Sequence, residues 1–218
     1  MQEGGDALRV THVEELGLPR PRVDADLVLR LQKYRNPDRV SPVVREAARR
    51  MASLAEVLVE PRGWMRRTPV RTVGADGAVW LGGEIRFRSL ALARSLRGAA
   101  EAALVILTIG PALELRADDL VRQEQFAEAL LLDTAARVAV DALVKDVRRR
   151  LRDDAWGRGY RLTPRMAPGF VDWTLDEQRT LFAAFGATPL TVQLTENCIM
   201  LPRKSVSGVY GLTPWALK

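Results

Sequence analysis

Six consecutive residues, Ala103-Leu104-Val105-Ile106-Leu107-Thr108, limit the folds open to this chain more than any others. An apolar run without polar interruption offers no side to water, so it is expected as a strand covered on both faces. The wider apolar stretch, Ala102 to Leu113, is too short to span a bilayer and contains Gly110 and Pro111. A chain of 218 residues suits one large domain or two small ones and can bury a substantial core around such a strand.

The flanking sequence supplies the cover. Ser41 followed by Pro42 is a helix start, a hydroxyl N-cap and then proline in the first turn. From there Val44, Ala47, Ala48, Met51, Leu54, Ala55 and Leu58 form one apolar stripe at helical spacing. Trp64 to Leu81 reads as two strands around the turn Gly74-Ala75-Asp76-Gly77. A short helix is expected from Ser89 to Leu96, closed by Gly98. A long helical pattern, broken once, runs from about Asp118 to Arg152, with small residues from Ala135 to Ala142. Thr174-Leu175-Asp176-Glu177 has the form of a capping box and predicts a helix to Phe185. Leu190 to Thr195 and Ser205 to Tyr210 alternate as half-buried strands. Residues 1–40 read as an N-terminal arm with a short helix from Asp24 to Lys33, and 41–218 as one domain. Helices and strands without regular alternation predict an α+β fold with a mostly antiparallel sheet.

Charge and composition exclude several function classes. The net charge is +6, but the cations alternate with acids along the chain, which favours a solvated surface over nucleic-acid binding. The densest cluster, Lys145 to Arg152, ends a predicted helix, where cations complement the dipole. The single cysteine, Cys198, excludes an internal disulfide and, with no secretory pattern at the N-terminus, predicts a cytoplasmic protein without membrane attachment. The single histidine, His12, argues against a histidine-based triad. No metal-ligand spacing, P-loop or glycine-rich dinucleotide turn is present.

What remains is a turn built for a carboxylate. Arg165 can clamp one with two parallel bonds, which lysine cannot do. Ala167 and Gly169 keep the following turn small enough for close backbone approach, and Pro168 fixes its path. A rigid surface turn with a salt-bridged arginine is the alternative reading of the same residues.

Four patterns stand in order in this third of the chain: Arg165-Met166-Ala167-Pro168-Gly169-Phe170; the helix bearing Trp173, Gln178, Leu181 and Phe182; Leu194-Thr195-Glu196; and Lys204-Ser205-Val206-Ser207-Gly208. Together they resemble the activation (reactivation) domain of cobalamin-dependent methionine synthase, in a free-standing form, specifically over Arg165 to Gly211. The resemblance implies a twisted, mostly antiparallel sheet flanked by helices. It implies an accessory module, not a stand-alone catalyst, that binds S-adenosylmethionine and supports reductive remethylation of cobalamin on a separate methionine synthase or related corrinoid protein. An acidic electron-transfer protein is a further expected partner.

By the same resemblance Arg165 would hold the ligand carboxylate. Ala167, Pro168, Gly169 and Phe170 would cradle the methionyl and adenosine portions, with Phe170 where the family more often has tyrosine. Asp141 or Glu196 would meet the ammonium, although Asp133, Arg137 and Asp141 also fall at four-residue intervals and can pair on one helix face. Lys204, Ser205 and Ser207 belong to the last signature. The serines can bond either a turn backbone or the polar edge of a corrin. Loss of S-adenosylmethionine binding, leaving an interaction subunit of a corrinoid methyltransferase, is the alternative function.

Overall fold

The structure, a computed structural model, describes residues 12–34, 36 and 39–215. Its centre is the strand β5 (Glu101–Thr108), in which every residue from Ala102 onward is buried. β5 pairs antiparallel on one side with β2 (Arg62–Val73) and on the other with β9 (Ser205–Pro214). β2 is long enough to change partners. Its first half takes β1 (Val13–Glu15) and its second half takes β3 (Ala78–Leu81), with a bulge between Val70 and Thr72. β4 (Ile85–Arg88) and β6 (Tyr160–Leu162) end the main path of the seven-stranded sheet, with β1 beside β2 off that path, and all of its pairings are antiparallel.

Both faces of the sheet are covered, which is why the apolar run of β5 is uninterrupted. Ala103, Val105 and Leu107 point with Met65, Tyr210 and Leu212 into a helical layer. That layer holds α1 (Ala25–Leu31), α2 (Pro42–Leu58), α4 (Ala112–Arg122) and α5 (Phe126–Gly157). Ala102, Leu104 and Ile106 point the other way. They meet Trp64, the β3–β4 hairpin, α3 (Leu90–Ser95) and the segment bearing Trp173, Leu181, Phe185 and Val192. Each such fully buried aliphatic side chain contributes about 1.5–3 kcal/mol relative to exposure.

Local signals account for most helix ends. Ser41 caps α2 through the Val44 N–H with Pro42 at the first position, Asp24 caps α1, and Ser89 caps α3. α2 lays Ala47, Ala48, Ala52 and Ala55 in the same core as Ala135, Ala136 and Ala139 of α5, so the small stretch of α5 is where another helix comes close. The expected break in the long helical pattern falls at Gln123–Gln125, where Glu124 has a φ of 59°. Arginines of the basic cluster are paired at the surface: Arg149 and Arg150 with Asp146, and Arg152 with Asp153. The N-terminal arm contributes Val23, Val28, Leu29 and Val40 to the helical core.

Two elements differ from expectation. The capping box at Thr174 does not form. Thr174 makes no side-chain cap, and Glu177 accepts instead from the Trp173 indole N–H at 2.6 Å and the Arg88 N–H at 3.0 Å. The result is a 3-10 turn, Leu175–Glu177, running into a short α6 (Gln178–Ala183). The strand expected over Leu190–Thr195 is only β7 (Gln193–Leu194), paired with β8 (Met200–Leu201). Leu190 and Val192 serve the core from a loop. No helix of the described residues is long and apolar enough to cross a membrane.

Candidate functional site

The chain leaves β6, forms a single bridge from Met166 to Val209 of β9, and turns away at Ala167-Pro168-Gly169. Gly169 has a φ of 89°, a conformation that disfavours a side chain. The turn is held at its base by bonds from the Gly169 N–H to the Trp173 carbonyl at 2.7 Å and from the Trp173 N–H to the Phe170 carbonyl at 2.9 Å. Trp173 is buried edge-on against Phe87, with ring centres 5.1 Å apart. Asp172 accepts from the Ser89 hydroxyl at 2.8 Å and from the N–H groups of Leu90 and Ala91. These bonds, the Ser89 hydroxyl foremost, hold the Asp172 carboxyl below its ordinary pKa. The turn is thus anchored to the N-terminus of α3 and to β4, while its tip, Phe170 and Val171, stays exposed. Val171 is 89% exposed at a φ of 55°, an uncommon conformation for a β-branched residue.

Behind the turn lies a cleft of about 190 Å³, lined on one side by Arg165, Ala167, Pro168 and Phe170. Leu175, Gln178, Cys198 and Met200, with Ser205, Val206 and Ser207 of β9, complete its lining. Five exposed apolar side chains, Phe170, Val171, Leu175, Ile199 and Leu201, lie in the segments that bound it.

Arg165 is the charged group of this cleft. Its side chain lies over Gly208, donates to the Ser207 carbonyl, and places its guanidinium 5.7 Å from the Phe170 ring centre. Among the described residues no carboxylate comes within salt-bridge distance of it. Burial lowers the Arg165 pKa from its ordinary value, against smaller opposite effects of Tyr210 and Asp141. Tyr210 is wholly buried, two residues from Gly208 on the same face of β9, and its hydroxyl has no hydrogen-bond partner among the described residues. Burial pushes the Tyr210 phenol up, while Arg165 and Arg148 pull it down.

The remaining sequence candidates divide into three groups. Arg165, Ala167, Pro168, Phe170, Ser205 and Ser207 line the one cleft, with Gly169 in the turn beside them. Asp141 stands on the exposed face of α5, close enough to act electrostatically on Arg165 but not paired with it. Glu196 and Lys204 do not line the cleft. Glu196 is exposed and its carbonyl accepts from Arg179. Lys204 bridges to Asp133 at 2.8 Å, and its backbone N–H donates to Glu114 at 2.6 Å. Both serine hydroxyls have protein partners: Ser205 with Thr108 and the Pro202 carbonyl, Ser207 with the Gln178 side chain at 2.8 and 3.1 Å. Among the described residues no cluster of His, Cys and carboxylates could hold a metal.

Sequence reasoning did not single out Gln178, Val206, Met200 or Tyr210 as site residues. Gln178 and Val206 did carry a signal, as members of the second and fourth patterns of the resemblance.

With the architecture defined, the chain superposes on the MetH reactivation domain bound to AdoHcy with a TM-score of 0.66, over 96% of this chain and 81% of that one. The fold is that of the reactivation domain. Sequence identity across the match is 18%, so the likeness speaks for backbone architecture, while no family model and no curated protein matches the sequence.

Proposed function

We propose that this protein is an S-adenosylmethionine-binding reactivation module that serves a cobalamin-carrying partner. The observation that carries the reading is the charge state of the cleft. Arg165 is a partly desolvated cation with no carboxylate partner among the described residues, fixed by a carbonyl and an aromatic ring, beside an open cavity. A partly buried ion without a counter-ion is costly, and an anionic ligand group would relieve that cost. A methionyl carboxylate has the required charge and planarity. Asp141, near Arg165 on the exposed face of α5, would attract the ligand ammonium and sulfonium. Glu196 and Lys204, outside the cleft, would act toward the partner. The likeness in fold to a domain crystallised with AdoHcy supports the choice of ligand.

The apolar side chains bounding the cleft support a macromolecular partner. Phe170, Val171, Leu175, Ile199 and Leu201 would cover the corrin-bearing face of a methionine synthase or related corrinoid protein. Cobalamin on the partner and the methyl donor would carry the chemistry, and this chain would position the donor and exclude water. Ser205 and Ser207, being hydrogen-bonded within the protein, would shape the cleft. The net charge of +6 would favour an acidic electron-transfer protein as a further partner.

Thermal denaturation with S-adenosylmethionine tests the reading. At a ligand concentration of 100 times Kd the stabilisation is about 2.7 kcal/mol, or roughly 5–10 °C for a domain of this size. A melting curve unmoved by millimolar ligand would leave the interaction-subunit function in its place.

A further inference from the structure

The balance of cations and acids along the chain fails in one place. Residues 61–100 hold eight arginines against two acids, Asp76 and Glu84, so the whole net charge of +6 resides there and the remainder of the chain is neutral. This stretch forms β2, β3, β4 and α3. Arg62 and Arg67 are taken by Glu15 and Asp154, and Arg66 donates to the Ala184 carbonyl. Arg71, Arg86, Arg88, Arg94 and Arg97 have no ion-pair partner among the described residues.

Three of these five gather around one exposed tryptophan. β4 alternates buried Ile85 and Phe87 with exposed Arg86 and Arg88, and Trp80 of β3 stands exposed between buried Val79 and Leu81. The buried set enters the core that holds Trp64 and Trp173. The helical core across the sheet includes no residue of β3 or β4, so the other face of this hairpin is open to water. Register places Arg86 opposite Trp80 and Arg88 opposite Ala78 on that face. The Arg86 guanidinium stands 5.2 Å from the Trp80 ring centre, and Trp80 is 39% exposed. Arg71, in the bulge of β2, reaches the β3–β4 turn and donates to the Gly82 carbonyl at 3.2 Å. β4 is also a sheet edge. Ser89 pairs with Gly77 across the hairpin, so the alternate residues Arg86 and Arg88 direct their backbone groups outward. Glu177 takes the Arg88 N–H, while the Arg86 N–H and carbonyl meet nothing among the described residues.

We propose that this face and edge dock an extended acidic segment of a partner protein. Its carboxylates would meet the Arg71, Arg86 and Arg88 forks, its backbone would pair with Arg86, and Trp80 would anchor the centre. Tryptophan and arginine are the side chains on which binding energy concentrates at interfaces. Charges that served only to keep an edge strand from pairing would not surround an exposed tryptophan. Two features favour a peptide over a nucleic acid. Asp76 and Glu84 lie in the turns at the two ends of β3, which closes the face to a long polyanion running along the strands. An open strand backbone is matched by another peptide backbone. β2 and β5 stand between this hairpin and β9 in the sheet, so the surface is separate from the cleft.

The test is an NMR titration of the intact protein with decaglutamate. Decaglutamate is expected to shift the Trp80 indole and Arg86 backbone N–H signals, and its affinity should fall at least tenfold between about 0.01 and about 0.15 M salt, as the Debye length shortens from about 30 to about 8 Å. Arg86→Glu with Arg88→Glu should weaken binding about tenfold or more. Arg20→Glu with Arg22→Glu, the same charge change at exposed positions outside the surface, should weaken it by about threefold at most. Trp80→Ser keeps every charge and should also weaken binding, which tests the face even if the double variant fails to fold. No binding at low salt, shifts that miss β3 and β4, equal losses in the two double variants, or undiminished affinity in Trp80→Ser would each overturn the proposal. Tighter binding of a ten-residue oligothymidylate at the same signals would overturn it in favour of a nucleic-acid site. S-adenosylmethionine affinity should be equal in all the variants, so failure of this surface leaves the ligand reading standing.

Discussion

Replacing Gly208 by alanine isolates the seat of Arg165. Gly208 lies on β9 opposite Val105, and its backbone is outside the left-handed region, so alanine meets no conformational objection there. The objection is steric. A methyl group at this position would fall 2.7 Å from Arg165 Cγ, 2.7 Å from the Met166 carbonyl oxygen and 2.9 Å from Arg165 Cδ. The arginine carbons can swing away, but only by taking the guanidinium from the Ser207 carbonyl. The Met166 oxygen cannot follow, because the Val209 N–H holds it at 2.7 Å. Overpacking of this kind costs about 1–3 kcal/mol. For a domain of this size that lowers Tm by about 2–4 °C per kcal/mol. Gly208→Ala should therefore lose stability in urea titration and lose S-adenosylmethionine affinity in calorimetry. Gly83→Ala is the control, since a methyl group there meets nothing within 4 Å, and its effect should stay within about 0.5 kcal/mol. Equal urea midpoints for the two variants would refute the steric argument. A destabilised Gly208→Ala with unchanged affinity would refute the idea that Arg165 must lie over Gly208 to meet its ligand.

Three further outcomes follow from the same geometry. Arg165→Lys keeps the charge but loses the planar fork and should cost about 1–3 kcal/mol of ligand affinity with little change in Tm, measured by calorimetry and melting; a lower Tm with intact affinity would make the arginine structural. Asp172→Asn should destabilise at neutral pH. Because the native carboxyl titrates below its unfolded value, its contribution is present above about pH 4 and fades as pH falls through the lower native pKa. Urea midpoints of the two proteins should thus converge in acid, and a gap that persists unchanged to pH 2 would count against the carboxylate latch. Gln178→Leu strands the buried Ser207 hydroxyl and should cost about 1–3 kcal/mol, whereas the double variant with Ser207→Ala should recover part of it; strict additivity in urea would show that the pair is not coupled.

The sequence alone determined the elements whose signals are local. The uninterrupted run of β5 required cover on both faces, the Ser41-Pro42 cap set the start of α2, and Gly74 to Gly77 set the β2–β3 hairpin. The Arg165 turn was legible for the same reason, since arginine, proline and glycine state their geometry within a few residues. Tertiary structure decided what depends on partners far along the chain. Thr174–Glu177 had the pattern of a capping box, yet Glu177 bonds Trp173 and Arg88, the latter 89 residues away, so the helix starts late. Lys204 carried only its motif in the sequence, and the fold is what brings Asp133 of α5 within 2.8 Å of it. The cleft itself has no sequence pattern. It exists because β9, late in the chain, runs past the Ala167–Gly169 turn, and only the folded sheet brings those two segments together.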